Sequence, residues 1–233
     1  DLLAGGTAAD RLDGGVGSDA ADYSGADAAV TVRLWNGSAE GAAAGDSLLQ
    51  IENLIGSDFD DVLVGASGFG IPDNALSGRS GDDRLLGAGG DDNLDGGSGI
   101  DTLEGGDGDD IVSGGSGDDI ATGDDGADTL NGNSGDDMLD GGLGADSLNG
   151  DSGDDDVNGG AGDDRIDGGS GDDRLSGGAG RDEIAGGAGA DRISGGMGDD
   201  TLSGDLGADT FVFDAATGAD RVTDYTPGLD TVE

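Results

Sequence analysis

The chain has 233 residues, 55 of them glycine, and carries 53 acidic side chains against 9 basic ones, a formal charge of −44. All nine basic residues are arginine, and histidine and cysteine are absent. An imidazole base, a thiol nucleophile, a Cys/His zinc site and a disulfide framework are therefore excluded, and the charge repels nucleic acid and anionic membranes. No apolar run approaches the ~20 residues of a membrane span, and no leader peptide is visible.

The first 22 residues carry a period of nine. Asp1, Asp10 and Asp19 are nine apart, and Leu3, Leu12 and Ala21 each follow two residues later. This segment, 1–22, reads as the end of a repeat array, and the chain that opens on Asp1 reads as part of something longer.

Residues 23–77 interrupt the period. Val30, Val32 and Leu34 alternate with Thr31, Arg33 and Trp35 before Asn36-Gly37, a pattern that predicts a strand and a tight turn. Residues 38–46 are small and polar and read as a loop. Ser47–Ile55 supplies Leu48, Leu49, Ile51, Leu54 and Ile55, expected as a cap or as an extra coil re-entering the stack. Gly56–Val64 is a degenerate unit with Asp61 and Leu63 in place of the periodic Asp and Leu, and 65–77 is a spacer in which Asn74 and Leu76 keep a faint echo. Trp35 is expected to cover the end of a stack or to pack on the inserted strand.

From Gly78 to Val212 the period is unbroken over 15 units. Counting the first glycine as position 1, position 4 is glycine and position 6 aspartate in every unit: Asp83, Asp92, Asp101, Asp110, Asp119, Asp128, Asp137, Asp146, Asp155, Asp164, Asp173, Asp182, Asp191, Asp200 and Asp209. Position 8 is Leu, Ile, Val or Phe in all units but one, where Ala121 stands. A lone apolar residue between polar neighbours fits a very short strand with one buried face. Positions 1 to 6 then read as a turn whose glycines permit φ > 0. At position 2 the substitutes Asn133 and Asp124 are residue types that tolerate that conformation. Two units make an 18-residue coil. Stacked coils give two parallel sheets, odd units in one and even units in the other, with the position-8 side chains between them.

Stacking also sets the position-6 carboxylates in files one strand spacing apart, about 4.8 Å, where like charges repel. A cation is required, and carboxylate and carbonyl oxygens at many equal sites suit Ca²⁺ better than Mg²⁺, which wants strict octahedral geometry. The nine aspartates at position 5, among them Asp82, Asp118 and Asp172, are expected as solvated turn residues rather than extra ligands. Arg84, Arg165, Arg174 and Arg192 at position 7 are expected to balance charge.

Segment 213–233 departs from the repeat. Thr210-Phe211-Val212-Phe213 reads as a longer strand, and two further strands are expected before Glu233, as a cap on the last coil.

Units such as Gly168-Gly169-Ser170-Gly171-Asp172-Asp173-Arg174-Leu175-Ser176 resemble the GGxGxDxUx nonapeptide of the repeats-in-toxin, or haemolysin-type, calcium-binding family. The likeness runs unbroken over 78–212 and loosely over most of the rest. The tail resembles the C-terminal region of serralysin-like proteases, which implies a cap that continues further. The fold implied is an all-β parallel β-roll, a β-solenoid of 18-residue coils. The resemblance implies that each Ca²⁺ lies between units n and n+2. Position-6 aspartates then pair 18 apart, from Asp83 with Asp101 and Asp92 with Asp110 up to Asp191 with Asp209. It implies about a dozen calcium ions, with Asp10, Asp19 and Asp61 as further ligands. Backbone carbonyls complete the shell, including those of Gly96, Gly97, Gly99, Gly114, Gly115, Gly117, Gly159, Gly160, Gly162, Gly168, Gly169, Gly171, Gly177, Gly178, Gly180, Gly186, Gly187 and Gly189. It further implies a secreted, extracellular protein that leaves the cell through type I secretion machinery, and a covalent partner domain upstream.

Enzymes of the family, metalloproteases, lipases and alginate epimerases, carry such repeats. Here HExxH is impossible without histidine, and G-x-S-x-G does not occur. The expectation is a non-enzymatic calcium-binding module. The alternatives are the non-catalytic C-terminal part of such an enzyme, or an adhesin or surface spacer. A regular outward Thr or Asn file, which ice-binding members would need, is not seen at positions 3, 5, 7 or 9.

Overall fold

The structure, a computed structural model, describes residues 1–6, 8–67, 72–213 and 218–233. The middle of the expected spacer, 68–71, and the start of the expected cap, 214–217, lie outside the described residues. The chain winds into a parallel β-solenoid of two sheets, with 12 and 14 strands, and no α-helix occurs among the described residues. Successive units alternate between the sheets, as the nine-residue period requires. Ala75–Ser80, Asn93–Ser98 and Ile111–Ser116 run side by side in one sheet, and Arg84–Gly89, Thr102–Asp107 and Ile120–Asp125 in the other. The register is 18 throughout the array: Leu94 lies opposite Val112, and Leu103 opposite Ala121.

Position 8 makes the core. Leu76, Leu94, Val112, Leu130, Leu148, Ile166, Ile184 and Leu202 stack in one file, and Leu63, Leu85, Leu103, Ala121, Leu139, Val157, Leu175, Ile193 and Phe211 in the other, all fully buried. Neighbours at positions 7 and 9 point outwards, so the apolar layer is one side chain deep from each sheet.

The strands are longer than the sequence suggests. Positions 1 to 6 were expected as a turn, yet Thr102–Asp107 covers positions 7 to 9 of one unit and 1 to 3 of the next, leaving only 4 to 6 for the corner. The cause is the adjacent coil. Gly97 pairs with Gly115 and Ser98 with Ser116, so peptide groups that an isolated turn would leave to water enter the ladder.

Two glycine positions carry the bends. All six non-glycine residues at position 2, Arg79, Ala88, Asp124, Asn133, Asp151 and Asp205, have φ between 59° and 83°. The glycines there lie further out, from 94° at Gly196 to 115° at Gly106. A side chain thus draws position 2 towards the left-handed helical well, at a cost of roughly 1–2 kcal/mol for an L-residue. Position 4 is stricter. At Gly144 φ is 136°, and an added Cβ would fall on the carbonyl oxygen of Gly126 in the coil before.

The N-terminal strands Leu2–Ala4, Arg11–Asp13 and Ala20–Asp22 belong to the same two sheets, with Leu12 and Ala21 buried. Ser47–Leu49 and Asn53–Ile55 re-enter the sheets as one coil, in line with the second of the two expectations for that segment. Two other expectations are corrected. Within 38–46, expected as a loop, Ser38–Gly41 is a strand, paired antiparallel with Val30–Arg33. The small residues of that stretch fit because their partner strand, not their own propensity, supplies the pairing. The hairpin lies in the larger sheet between Ser47–Leu49 and Val62–Val64. Its tip is a 3-10 turn, Leu34–Asn36, closed by Gly37 at φ 65°. Trp35 lies in that turn and is 57% exposed. At the other end, Thr210–Val212 stops one residue short of Phe213, and Arg221–Val222 and Thr231–Val232 each add one parallel strand to a sheet.

Candidate metal-binding files

Each coil has two corners, and the position-6 aspartates line both. One file holds Asp92, Asp110, Asp128, Asp146, Asp164, Asp182 and Asp200; the other holds Asp83, Asp101, Asp119, Asp137, Asp155, Asp173, Asp191 and Asp209. All are at most 3% exposed. Oδ1 of each accepts the backbone N–H of the position-6 residue one coil back, which is an aspartate everywhere except at Asp92, whose donor is Asn74. Asp83 N–H donates to Asp101 Oδ1 at 2.7 Å and Asp137 N–H to Asp155 Oδ1 at 2.8 Å. The aspartates 18 apart are therefore brought together as adjacent members of a file.

Oδ2 has no such partner. It is buried without a hydrogen bond in seven residues of the first file and in seven of the second, Asp83 through Asp191. The backbone leaves room beside it. Asp173 Oδ2 and the Gly186 carbonyl oxygen each lie 2.5 Å from where a Cβ of Gly168 would be, so the missing side chain at position 1 lets two oxygens converge. Around Gly159 the pair is Asp164 Oδ2 at 2.5 Å and Gly177 O at 2.6 Å. Among the described residues no three acidic side chains gather. A cation held here would draw on carboxylates of adjacent coils and on backbone carbonyls. The position-3 carbonyls are less free: Ser98 O accepts Gly81 N–H at 2.9 Å, and Ser116 O accepts Gly99 N–H at 2.9 Å.

Burial is the main force on these carboxyls and pushes their pKa up. Asp83, Asp110 and Asp155 rise to about 7, and Asp92, Asp119, Asp137, Asp146, Asp182 and Asp191 to about 6. The N–H from the coil before opposes the shift, and neighbouring aspartates add to it, as Asp119 does for Asp137. An oxygen that is buried, orphaned and hard to ionise is the setting a divalent cation resolves.

Position 5 works in the opposite direction. Asp118 Oδ1 accepts the N–H of Asp136 one coil forward at 3.0 Å, and Asp154 Oδ1 that of Asp172 at 2.8 Å. These aspartates are exposed, yet they cap corner amides and are not merely solvated. At position 3 of the smaller sheet, Ser98, Ser116, Ser134, Ser152 and Ser170 each donate Oγ–H to a position-2 carbonyl one coil back, at 3.1–3.5 Å. Arg84, Arg165 and Arg192 pair with Glu104, Glu183 and Glu233 on the surface.

Outside the array the expected ligands differ. Asp19 is buried with an orphaned Oδ2, whereas Asp10 is only half-buried. Asp61 is buried, but both of its oxygens are taken: Oδ1 by Val30 N–H at 2.7 Å and Ser57 Oγ–H at 2.9 Å, Oδ2 by Ser57 N–H. Four file members escaped the sequence reading. Asp46 accepts Asp10 N–H at 2.7 Å and has a buried, orphaned Oδ2. Glu52 accepts Asp19 N–H at 3.0 Å, and Asp220 and Asp230 accept the N–H groups of Asp200 and Asp209 at 3.2 Å. The available signal was Asp46-Ser47-Leu48, an Asp two residues before an apolar residue, set 36 residues, or two full coils, after Asp10.

The family of RTX calcium-binding nonapeptide repeats matches residues 1–23, 73–103, 86–121, 113–148, 122–157, 149–184 and 176–211. These segments take in well over half of the chain, which belongs to that family. They end at residue 211, so the likeness of the tail to serralysin-like proteases forms no part of the match. No curated protein matches the chain. Among solved structures it is similar to a hyperactive, Ca²⁺-dependent, β-helical antifreeze protein from an Antarctic bacterium, with 21% identity over 94% of this chain and 86% of that one, at a TM-score of 0.37. Among the described residues no helix is long and apolar enough to cross a membrane.

Proposed function

We propose that the chain is a calcium-folded β-roll module of a secreted bacterial protein, open when calcium is scarce and closed outside the cell. One observation carries this reading: the run of buried Oδ2 atoms without partners down both corners. A buried ionised carboxylate without a partner costs several kcal/mol, and these stand one strand spacing apart. Bound Ca²⁺ supplies the positive charge and oxygen coordination that those atoms lack. The chain supplies the rest. Position-6 Oδ1 atoms tie each coil to the next, position-1 glycines leave the space, and the position-8 layer closes between the sheets. The proposed ligands are the position-6 aspartates and the carbonyls of the glycines at positions 1, 2 and 4. Seven orphaned oxygens per file make six adjacent pairs in each, in keeping with about a dozen ions.

The reading extends to how the protein travels. With a charge of −44 and a core one side chain deep, a calcium-free chain stays expanded, a form suited to threading through type I secretion machinery. Binding and folding are then one event. The array's acidic side chains are used by the coil itself, so chemistry, if present in the whole protein, belongs to a partner domain. Far-UV circular dichroism against calcium tests this. A full β signal in chelator would sink the proposal, as would a calorimetric count near two ions.

A further inference from the structure

Two units outside the regular array satisfy their position-6 aspartate in a different way. In Gly56–Val64 the position-2 residue is Ser57, and its N–H bonds to Asp61 Oδ2 while its Oγ–H bonds to Oδ1. In Tyr225–Glu233 the position-2 residue is Thr226, and its N–H donates to Asp230 Oδ2 at 2.6 Å. Both donors lie four residues before their acceptor. Neither Ser57 nor Thr226 has the positive φ found at every position 2 of the array. In these two units the ordinary φ at position 2 goes with a corner that closes on its own carboxylate; from Asp83 to Asp191 the positive φ at position 2 goes with a bare Oδ2.

Asp61 and Asp230 belong to the same file, one on each side of the run from Asp83 to Asp191 whose Oδ2 atoms are orphaned. The other file has a comparable stop in another chemistry. At Asn74 the amide is satisfied within the chain, with Oδ1 accepting Ala66 N–H and Nδ2 donating to Glu52 O, both at 2.7 Å.

We infer that Gly56–Val64 and Tyr225–Glu233 are metal-free stop units that bracket a calcium file, with the position-2 N–H of a Ser or Thr serving the carboxylate in place of the cation. This departs from the residue-by-residue expectation for the family, which makes Asp61 a ligand like the rest. It rests on the proposed calcium reading. Both oxygens of Asp61 and of Asp230 already accept hydrogen bonds that offset their charge, whereas Oδ2 of an array carboxylate from Asp83 to Asp191 accepts none.

The test is a crystal of the calcium-loaded chain with ions located by anomalous scattering, together with calorimetric calcium counts. Ions are expected along the Asp83–Asp191 run and none on the carboxylates of Asp61 or Asp230. Asp61→Asn and Asp230→Asn are expected to leave the count unchanged, and Asp137→Asn to lower it by about two. An ion on Asp61 or Asp230, with the array loaded, overturns the inference; so does a lower count in either variant that still shows the parent's circular dichroism in calcium. If no ions are found anywhere, the calcium reading itself fails and takes this inference with it.

Discussion

Asp137→Asn separates the two states of the coil. Asp137 sits mid-file, 2% exposed, with Oδ1 holding Asp119 N–H at 2.8 Å and Oδ2 orphaned. Asparagine keeps the shape and the Oδ1 acceptor and removes the charge. Asp137 belongs to two adjacent pairs, with Asp119 and with Asp155, so the substitution impairs two proposed sites. A site of roughly 0.1–1 mM affinity at about 10 mM calcium stabilises the folded state by about 1.4–2.7 kcal/mol. Two sites give about 3–5 kcal/mol, or roughly 6–20 °C in melting temperature for a chain of this size. In chelator the sign reverses. The variant loses a buried charge flanked by two others, so its metal-free coil is less unfavourable than the parent's. Calorimetric calcium titration reads the count, and thermal melts with and without calcium read the two stabilities. An unchanged count and an unchanged melt in calcium would refute the reasoning.

Other outcomes follow from the same geometry. Gly144→Ala drives a Cβ onto the Gly126 carbonyl and is expected to cost over about 4 kcal/mol. Asn133→Ala, at a φ that Ala88 already accepts, is expected to cost about 1 kcal/mol, and equal melting shifts would contradict the distinction. Leu139→Ala removes a buried side chain next to Ala121 in its file and is expected to cost about 2–5 kcal/mol, against under about 0.5 for the exposed neighbour Met138→Ala. Acidification is expected to stabilise the metal-free coil. The file carboxyls have folded pKa values raised to about 6–7, above their value in the open chain. The penalty is therefore absent below about pH 4, grows as the pH rises to about 7 and is complete above that. Circular dichroism in chelator should show β signal growing from pH 8 towards pH 5; a flat response would count against it. Calcium affinity should weaken over the same range, since protons compete for the same oxygens.

Much of this was legible because a repeat isolates one constraint per column. Leu, Ile and Val at position 8 fixed the buried file, and Asp or Asn in place of glycine at position 2 announced the left-handed bend. The hidden parts depend on neighbours one coil away. Strand extension through position 3 requires the adjacent ladder, and the forward reach of Asp118 towards Asp136 cannot be told from solvation in a single strand of text. Asp46 was obscured by the spliced hairpin, which puts 36 residues between two file neighbours, where those of the array stand 18 apart. Asp61 looks like any other file member until Ser57 is seen to have turned its amide inwards.

The alternation of sheets gives the molecule a parity. Removing or duplicating 18 residues between Gly78 and Gly204 returns every later unit to the same side with the same neighbours. A change of nine moves every later unit to the opposite sheet, and the serines of position 3 would then run down the other corner. The irregular connections keep the count even in this sense. Asp10 to Asp46, Asp19 to Glu52 and Asp61 to Asp83 differ in length from 18, yet each step returns to its own file. Whole coils are thus the unit in which this chain can lengthen or shorten without being rewritten.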